Sequence, residues 1–112
     1  MGYEEVPTWV LGNNLETCDQ VCGRVGGNCT AEAQNWVDSD VKMNALSSYL
    51  GLSCAATVNT ALSAFNPSVS GTVCSYQAAA VMGSTCSAAP APSTQRMCCC
   101  LNLAECQSVL GF

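Results

Sequence analysis

Cysteine spacing constrains this chain more than any other feature. Ten of the 112 residues are cysteine, at Cys18, Cys22, Cys29, Cys54, Cys74, Cys86, Cys98, Cys99, Cys100 and Cys106. The spacing runs C-x3-C-x6-C-x24-C-x19-C-x11-C-x11-CCC-x5-C. That is about 9% of the chain, in the range of a disulfide scaffold, and an even count permits full pairing. All ten are therefore read as half-cystines, in up to five bridges. Successive side chains alternate faces in a strand. Cys98 and Cys100 then point one way and Cys99 the other, so the triplet can bridge to two layers. The helix carrying Cys18 and Cys22 is the first candidate partner. Beyond that the pairing stays open, since ten cysteines allow about 945 full connectivities. Such bridges persist in oxidising compartments, which puts the chain outside the cytosol: secreted, on a cell surface or in an organelle lumen.

The rest of the composition makes the bridges necessary. The length implies one domain, residues 1–112, and a chain of this size buries only about two-thirds of its unfolded surface. The apolar fraction is 49%, but much of it is alanine, and aromatics are 6%. Small side chains return little at roughly 25 cal/mol per Å².

Local patterns predict an α+β fold with two or three short helices on a few short strands. Thr8–Gly12 reads as a strand closed by a Gly-Asn turn. Glu16–Gly23 reads as a helix stopped by Gly26-Gly27. Thr30 and Ser39 are placed to cap two more. Val41, Ala45 and Tyr49 recur every four residues with Leu46 and Leu50 beside them, and Gly51 follows. Trp36 and Val37 are expected on the same buried side. Ser70-Gly71 marks a turn, Thr72–Tyr76 and Arg96–Leu101 read as strands, and Ala88–Thr94, with two prolines, reads as an exposed loop. The tail is expected to be pinned by Cys106.

Net charge is −5, and Arg24, Lys42 and Arg96 are the only basic residues. Phosphate backbones and anionic membranes need clustered Lys or Arg, so nucleic acid is excluded as a partner. No apolar run reaches the roughly 18 residues of a membrane span. The start, Met1-Gly2-Tyr3-Glu4-Glu5, lacks the apolar core of a signal peptide. The compartment inference therefore expects either a targeting segment removed before maturity or a Met1 that is not part of the natural chain. Charged residues are 10%, against about 25% in ordinary domains. Either the surface is neutral and Ser/Thr/Asn/Gln-rich, or it is covered by other proteins of a larger assembly.

Candidate chemistry is sparse. There is no histidine, hence no Ser-His-Asp or Cys-His machinery. Nothing pairs any two of Glu16, Asp19, Glu32, Asp38, Asp40 and Glu105 across a cleft. C-x2-C is absent, which argues against zinc and dithiol redox chemistry. No metal, cofactor or catalytic residue is predicted. Asn28-Cys29-Thr30 fits the glycosylation pattern, whereas the proline bars Asn66-Pro67-Ser68. Trp9, Trp36, Tyr49 and Tyr76 are candidates for a ligand-facing, sugar-stacking platform; packing in the core is the competing use.

Trp9-Val10-Leu11-Gly12, Cys18, Cys22, Gly26-Gly27-x-Cys29 and the late Cys98-Cys99-Cys100 carry a resemblance. Together they resemble a cysteine-rich module of secreted or lumenal algal and protist proteins. They are also similar to the cysteine-rich segment accompanying N-glycan-branching N-acetylglucosaminyltransferases. The likeness spans roughly residues 8–100. It implies the oxidising compartment and the disulfides, and it transfers no catalytic residue, because that module is an accessory to the transferase fold. The resulting expectation is a non-catalytic structural or interaction module, for example a peripheral lumenal subunit of a membrane complex such as a photosynthetic one. Two other classes stand beside it: a carbohydrate-binding module, and a secreted inhibitor or toxin presenting the Ala88–Thr94 loop.

Overall fold

The computed structural model describes residues 7–59, 64–77 and 85–112. Along them run β1 (Trp9–Leu11), α1 (Cys18–Arg24), α2 (Ala31–Trp36), α3 (Asp40–Tyr49), β2 (Ala56–Asn59), β3 (Ser68–Ser70), β4 (Val73–Tyr76), β5 (Thr94–Cys99) and α4 (Leu103–Ser108). The fold is a small, disulfide-rich α+β arrangement. Its five-stranded sheet has the order β1-β5-β3-β4-β2. Neighbours are antiparallel except for β2, which joins β4 in parallel.

Strand alternation sorts the core onto the two faces of this sheet. Register pairs Trp9 with Cys99 and Leu11 with Met97, and these point to one face; Val10 and Cys98 point to the other. On the first face α2, α3 and α4 cover a core that includes Trp9, Ala33, Val37, Met43, Leu46, Val69 and Met97. On the second, α1 encloses Cys18, Val21, Cys22, Cys98 and Cys100. Trp9 spans the first core and donates its Nε1–H to the carbonyl of Cys106 at 2.9 Å.

Five bridges join all ten cysteines: Cys18–Cys98, Cys22–Cys100, Cys29–Cys86, Cys54–Cys74 and Cys99–Cys106. The triplet thus reaches two layers, α1 on one side and α4 on the other. The double link to α1 has a simple metric basis. Four residues of helix rise about 6 Å, and two residues of strand advance about 6.7 Å. Cys18 and Cys22 therefore match Cys98 and Cys100 when α1 lies along β5 in the same direction. Such pairing points to an oxidising, extracytoplasmic environment. No helix among the described residues is long and apolar enough to cross a membrane.

Helix ends follow the sequence signals. Thr17 opens α1 with a reciprocal capping box: its hydroxyl accepts from Gln20 N–H, and its own N–H donates to Gln20 Oε1. Gly26, at φ +82°, turns the chain out of α1 through a left-handed conformation that side chains disfavour. Ser39 caps α3 by accepting from Lys42 N–H. Thr30 precedes α2 but makes no side-chain cap; its hydroxyl donates instead to the Leu101 carbonyl.

Two expectations change. The buried stripe of α3 is Met43, Leu46 and Ser47, while Val41 is 68% and Tyr49 is 46% exposed. Helical neighbours at i+3 and i+4 from Met43 meet the sheet, rotating Val41 and Tyr49 outward. The Ala88–Thr94 segment is not a free loop. Pro90 and Thr94 are buried, the Ala88 carbonyl accepts from Arg96 Nη1 at 2.8 Å, and exposure is continuous only over residues 91–93. Strands β2 and β3 are additions, which the Ser/Thr/Ala-rich texture of that region concealed, and the tail that Cys106 pins contains a further helix, α4.

Candidate functional site

Among the described residues, a concave surface forms where α1 ends beside the end of β5. After Gly26 the chain doubles back, and Gly27 N–H donates to Cys22 O at 2.8 Å. Residues 28–30 then run beside the exit of β5. Asn28 N–H donates to Cys100 O at 3.1 Å and Thr30 N–H to Cys99 O at 3.0 Å. Across from them Leu101 and Asn102 lead into α4, with the Asn102 side chain accepting from Glu105 N–H at 2.8 Å. The Cys22–Cys100 bridge fastens the floor, and Cys29–Cys86 fastens the rim.

Between these strands of chain lies a cavity of about 300 Å³, lined by Gly26, Gly27, Asn28, Cys100, Leu101 and Asn102. The lining carries no ionisable side chain, because Cys100 is held as a disulfide. It offers backbone groups, two side-chain amides and one apolar wall. Such a surface can hydrogen-bond a neutral polar group without acid–base work.

The four candidate aromatics do not form a platform. Trp9 is 3% exposed and committed to the core. Trp36 is half-buried, with Lys42 Nζ 4.8 Å over its ring and Phe112 edge-on at 5.1 Å. Lys42 also pairs with Asp38 at 2.9 Å. Tyr76 is buried and donates its hydroxyl to Asp40, which with burial holds the phenol above its ordinary pKa. Asp40 also accepts from Thr57 Oγ1 at 2.8 Å, so this pair ties α3 to β4 and β2. Only Tyr49 among the four is exposed, and it does not line the cavity.

Two charged features stand near the α1 face. Arg96 is fully buried, donating to the carbonyls of Ala88 and Ala64. Burial lowers its pKa to about 10, against the raising influence of Asp19. It works as a buried tie between β5 and two loop carbonyls. Asp19 also lies with the sulfurs of Cys29 and Cys86, the three ligand-type atoms within 4.8 Å of one another. Those sulfurs are bonded to each other, so they offer no thiolate to a metal.

Asn28 is exposed, at the lip of the cavity. Sequence reading identified Asn28 as a modification candidate. The cavity itself escaped it, because its two walls lie more than seventy residues apart in sequence and are joined only by tertiary contacts, the Cys22–Cys100 bridge and the backbone hydrogen bonds of Asn28 and Thr30. No protein-family model matches this chain, and no curated protein matches it.

Proposed function

We propose that this protein is a non-catalytic structural and interaction module of a larger extracytoplasmic assembly, in a secreted or lumenal setting. The observation that carries this reading is the surface. Val41, Tyr49, Val58, Val73, Val109 and Phe112 are large apolar side chains left exposed on a chain with only 10% charged residues. Single exposed apolar residues are ordinary. Here they recur on α3, just past α4, on two strands and at the C-terminus, on a frame that five bridges cross-link. A rigid frame limits the ordering cost of association, which favours a role in assembly. The cavity supports the same reading, since it offers amides and backbone groups in place of acids, bases or nucleophiles.

The test is the state of the protein in its native setting. Gentle extraction followed by size fractionation and crosslinking is expected to find it in a complex well above its own mass. Recovery as a partner-free monomer at high concentration, with no crosslinked neighbour, would overturn the proposal.

A further inference from the structure

We infer that Asn28 carries an N-linked glycan and that the cavity beside it seats the first sugar of that glycan. The inference rests on the extracytoplasmic reading, because the modifying machinery works on the lumenal side of the secretory route. Three observations carry it.

The first is the acceptor. Asn28-Cys29-Thr30 fits the sequence pattern for transfer, and Asn28 is exposed in the folded protein. Its backbone is fixed by the bond to Cys100 O, and the next two residues are fixed by the Cys29–Cys86 bridge and the two hydrogen bonds of Thr30. A sugar on this side chain would need no rearrangement of the fold.

The second is order of synthesis. Cys86, the partner of Cys29, follows it by 57 residues. Chains emerge N-terminus first, so the acceptor segment reaches the lumen with Cys29 unbridged and the segment extended. In the transfer, the Asn28 amide nitrogen attacks the anomeric carbon of the first sugar of a lipid-pyrophosphate-linked oligosaccharide. The new N–C bond forms as the C–O bond to phosphate breaks. The lipid pyrophosphate leaves with the electron pair, and the amide proton passes to a base of the transferring enzyme.

The third is the seat. The cavity begins at Asn28 itself and measures about 300 Å³, the lower end of ligand-sized clefts. That is room for a single N-acetylhexosamine, with the rest of the glycan in solvent. Gly26 and Gly27 present bare backbone to the sugar, Asn102 presents an amide, and Leu101 gives the acetyl methyl an apolar wall. A neutral lining suits a neutral sugar.

Protein isolated from its native source is weighed intact, before and after an amidase that cleaves the Asn–sugar bond, in native and in denatured form. The expected mass is ten hydrogens light, two for each of five bridges, plus a glycan. Release is expected to convert Asn28 to Asp, and to run at least tenfold slower on native protein, where the seat shelters the bond. An Asn28→Gln chain expressed in the same host should lose the added mass and keep the five bridges. Oxidised protein without glycan overturns this inference and leaves the compartment reading standing. Glycan released equally fast from native and denatured protein overturns the seat. Protein with free thiols overturns the compartment reading and this inference with it.

Discussion

Beneath α1, four of the five buried side chains in the cluster are half-cystines, with Val21 the fifth. On the opposite face of the sheet the cluster holds Trp9, Val37, Met43, Leu46 and Met97, with cysteines in the minority. Helix α1 has seven residues, too few to persist alone in water. It has only one buried aliphatic side chain with which to hold on. The opposite face carries three helices on large side chains, where burial contributes about 1.5–3 kcal/mol each. One protein thus fastens one layer covalently and another by the hydrophobic effect. A short helix can replace packing area with bridges when its cysteines match the strand repeat.

The sharpest way to break this contrast is to remove both α1 bridges, in a chain carrying Cys18→Ala, Cys22→Ala, Cys98→Ala and Cys100→Ala. Closing a loop of about 80 residues contributes about 4.5 kcal/mol in the chain-entropy model, and the second bridge, which interleaves with the first and closes only a short further loop, about 2 more. Their sum is of the order of a whole domain's stability. Denaturant unfolding should show loss of the folded state or release of α1, seen as hydrogen exchange across residues 18–24. A variant that keeps its midpoint and its α1 protection would refute the covalent account of this layer. Partial reduction sharpens the point. Cys29 and Cys86 are both half-exposed, whereas Cys18, Cys22, Cys98 and Cys100 are buried. Alkylation under mild reductant should label the Cys29–Cys86 pair first.

On the other face, Leu46→Ala should cost about 2–5 kcal/mol, the range for emptying a fully buried aliphatic site. It should leave α1 exchange unchanged at low denaturant, since α1 packs on β5 and β1 whereas the Leu46 helix packs on β4 and β2. A loss below about 1 kcal/mol would mean that bridges hold both layers, and the contrast would fail.

The same contrast explains what was legible in the sequence. Cysteine positions are discrete and the strand repeat is strict, so the triplet's two-sided reach and its link to Cys18 and Cys22 could be read directly. Helix starts at Thr17 and Ser39 are local hydrogen-bond chemistry and were legible within a residue or two. The apolar-packed layer was less so. In α3 the stripes containing Val41–Tyr49 and Met43–Leu46 are both sufficiently apolar, and the sheet decides between them. Ser47, a polar residue, belongs to the chosen face. Strands β2 and β3 carry Ala, Thr, Ser and single valines, a pattern too weak to stand out without β4 and β5 beside them. The candidate site is split the same way. Asn28 is a motif, but its cavity joins segments from opposite ends of the chain.

Gly12 shows how closely the covalent layer is drawn to the sheet. A Cβ built there would lie 2.7 Å from Val21 Cγ2, and Val21 is fully buried. With α1 tethered at two points, the helix has little freedom to recede. Gly12→Ala should therefore cost about 1–3 kcal/mol as overpacking. Adding Val21→Ala should recover part of that loss, which a double-mutant cycle would read as coupling. An additive result would mean that α1 yields in spite of its bridges.

The weakest hold on α1 is ionic, and pH isolates it. Glu16 accepts from Arg24 at 2.8 and 3.2 Å and from Asn13 N–H at 2.7 Å, tying the entry of the helix to its last turn. The hydrogen bonds from Arg24 come first among the causes that hold its carboxyl below the usual glutamate range. A lowered folded pKa means that the stabilisation is present above the unfolded pKa, near 4.5, and is lost as pH falls through the folded value. Both side chains are partly exposed, at 44% for Arg24 and 22% for Glu16. Solvent screening then limits the contribution to about 1 kcal/mol or less. Comparing Glu16→Gln with the parent chain from pH 7 down to pH 3 should show a small deficit at neutral pH that shrinks to nothing in acid. Moderate salt should shrink it further. A deficit that persists unchanged at pH 3 would assign the loss to the Asn13 turn contact, and the ion pair would drop out of what fastens this layer.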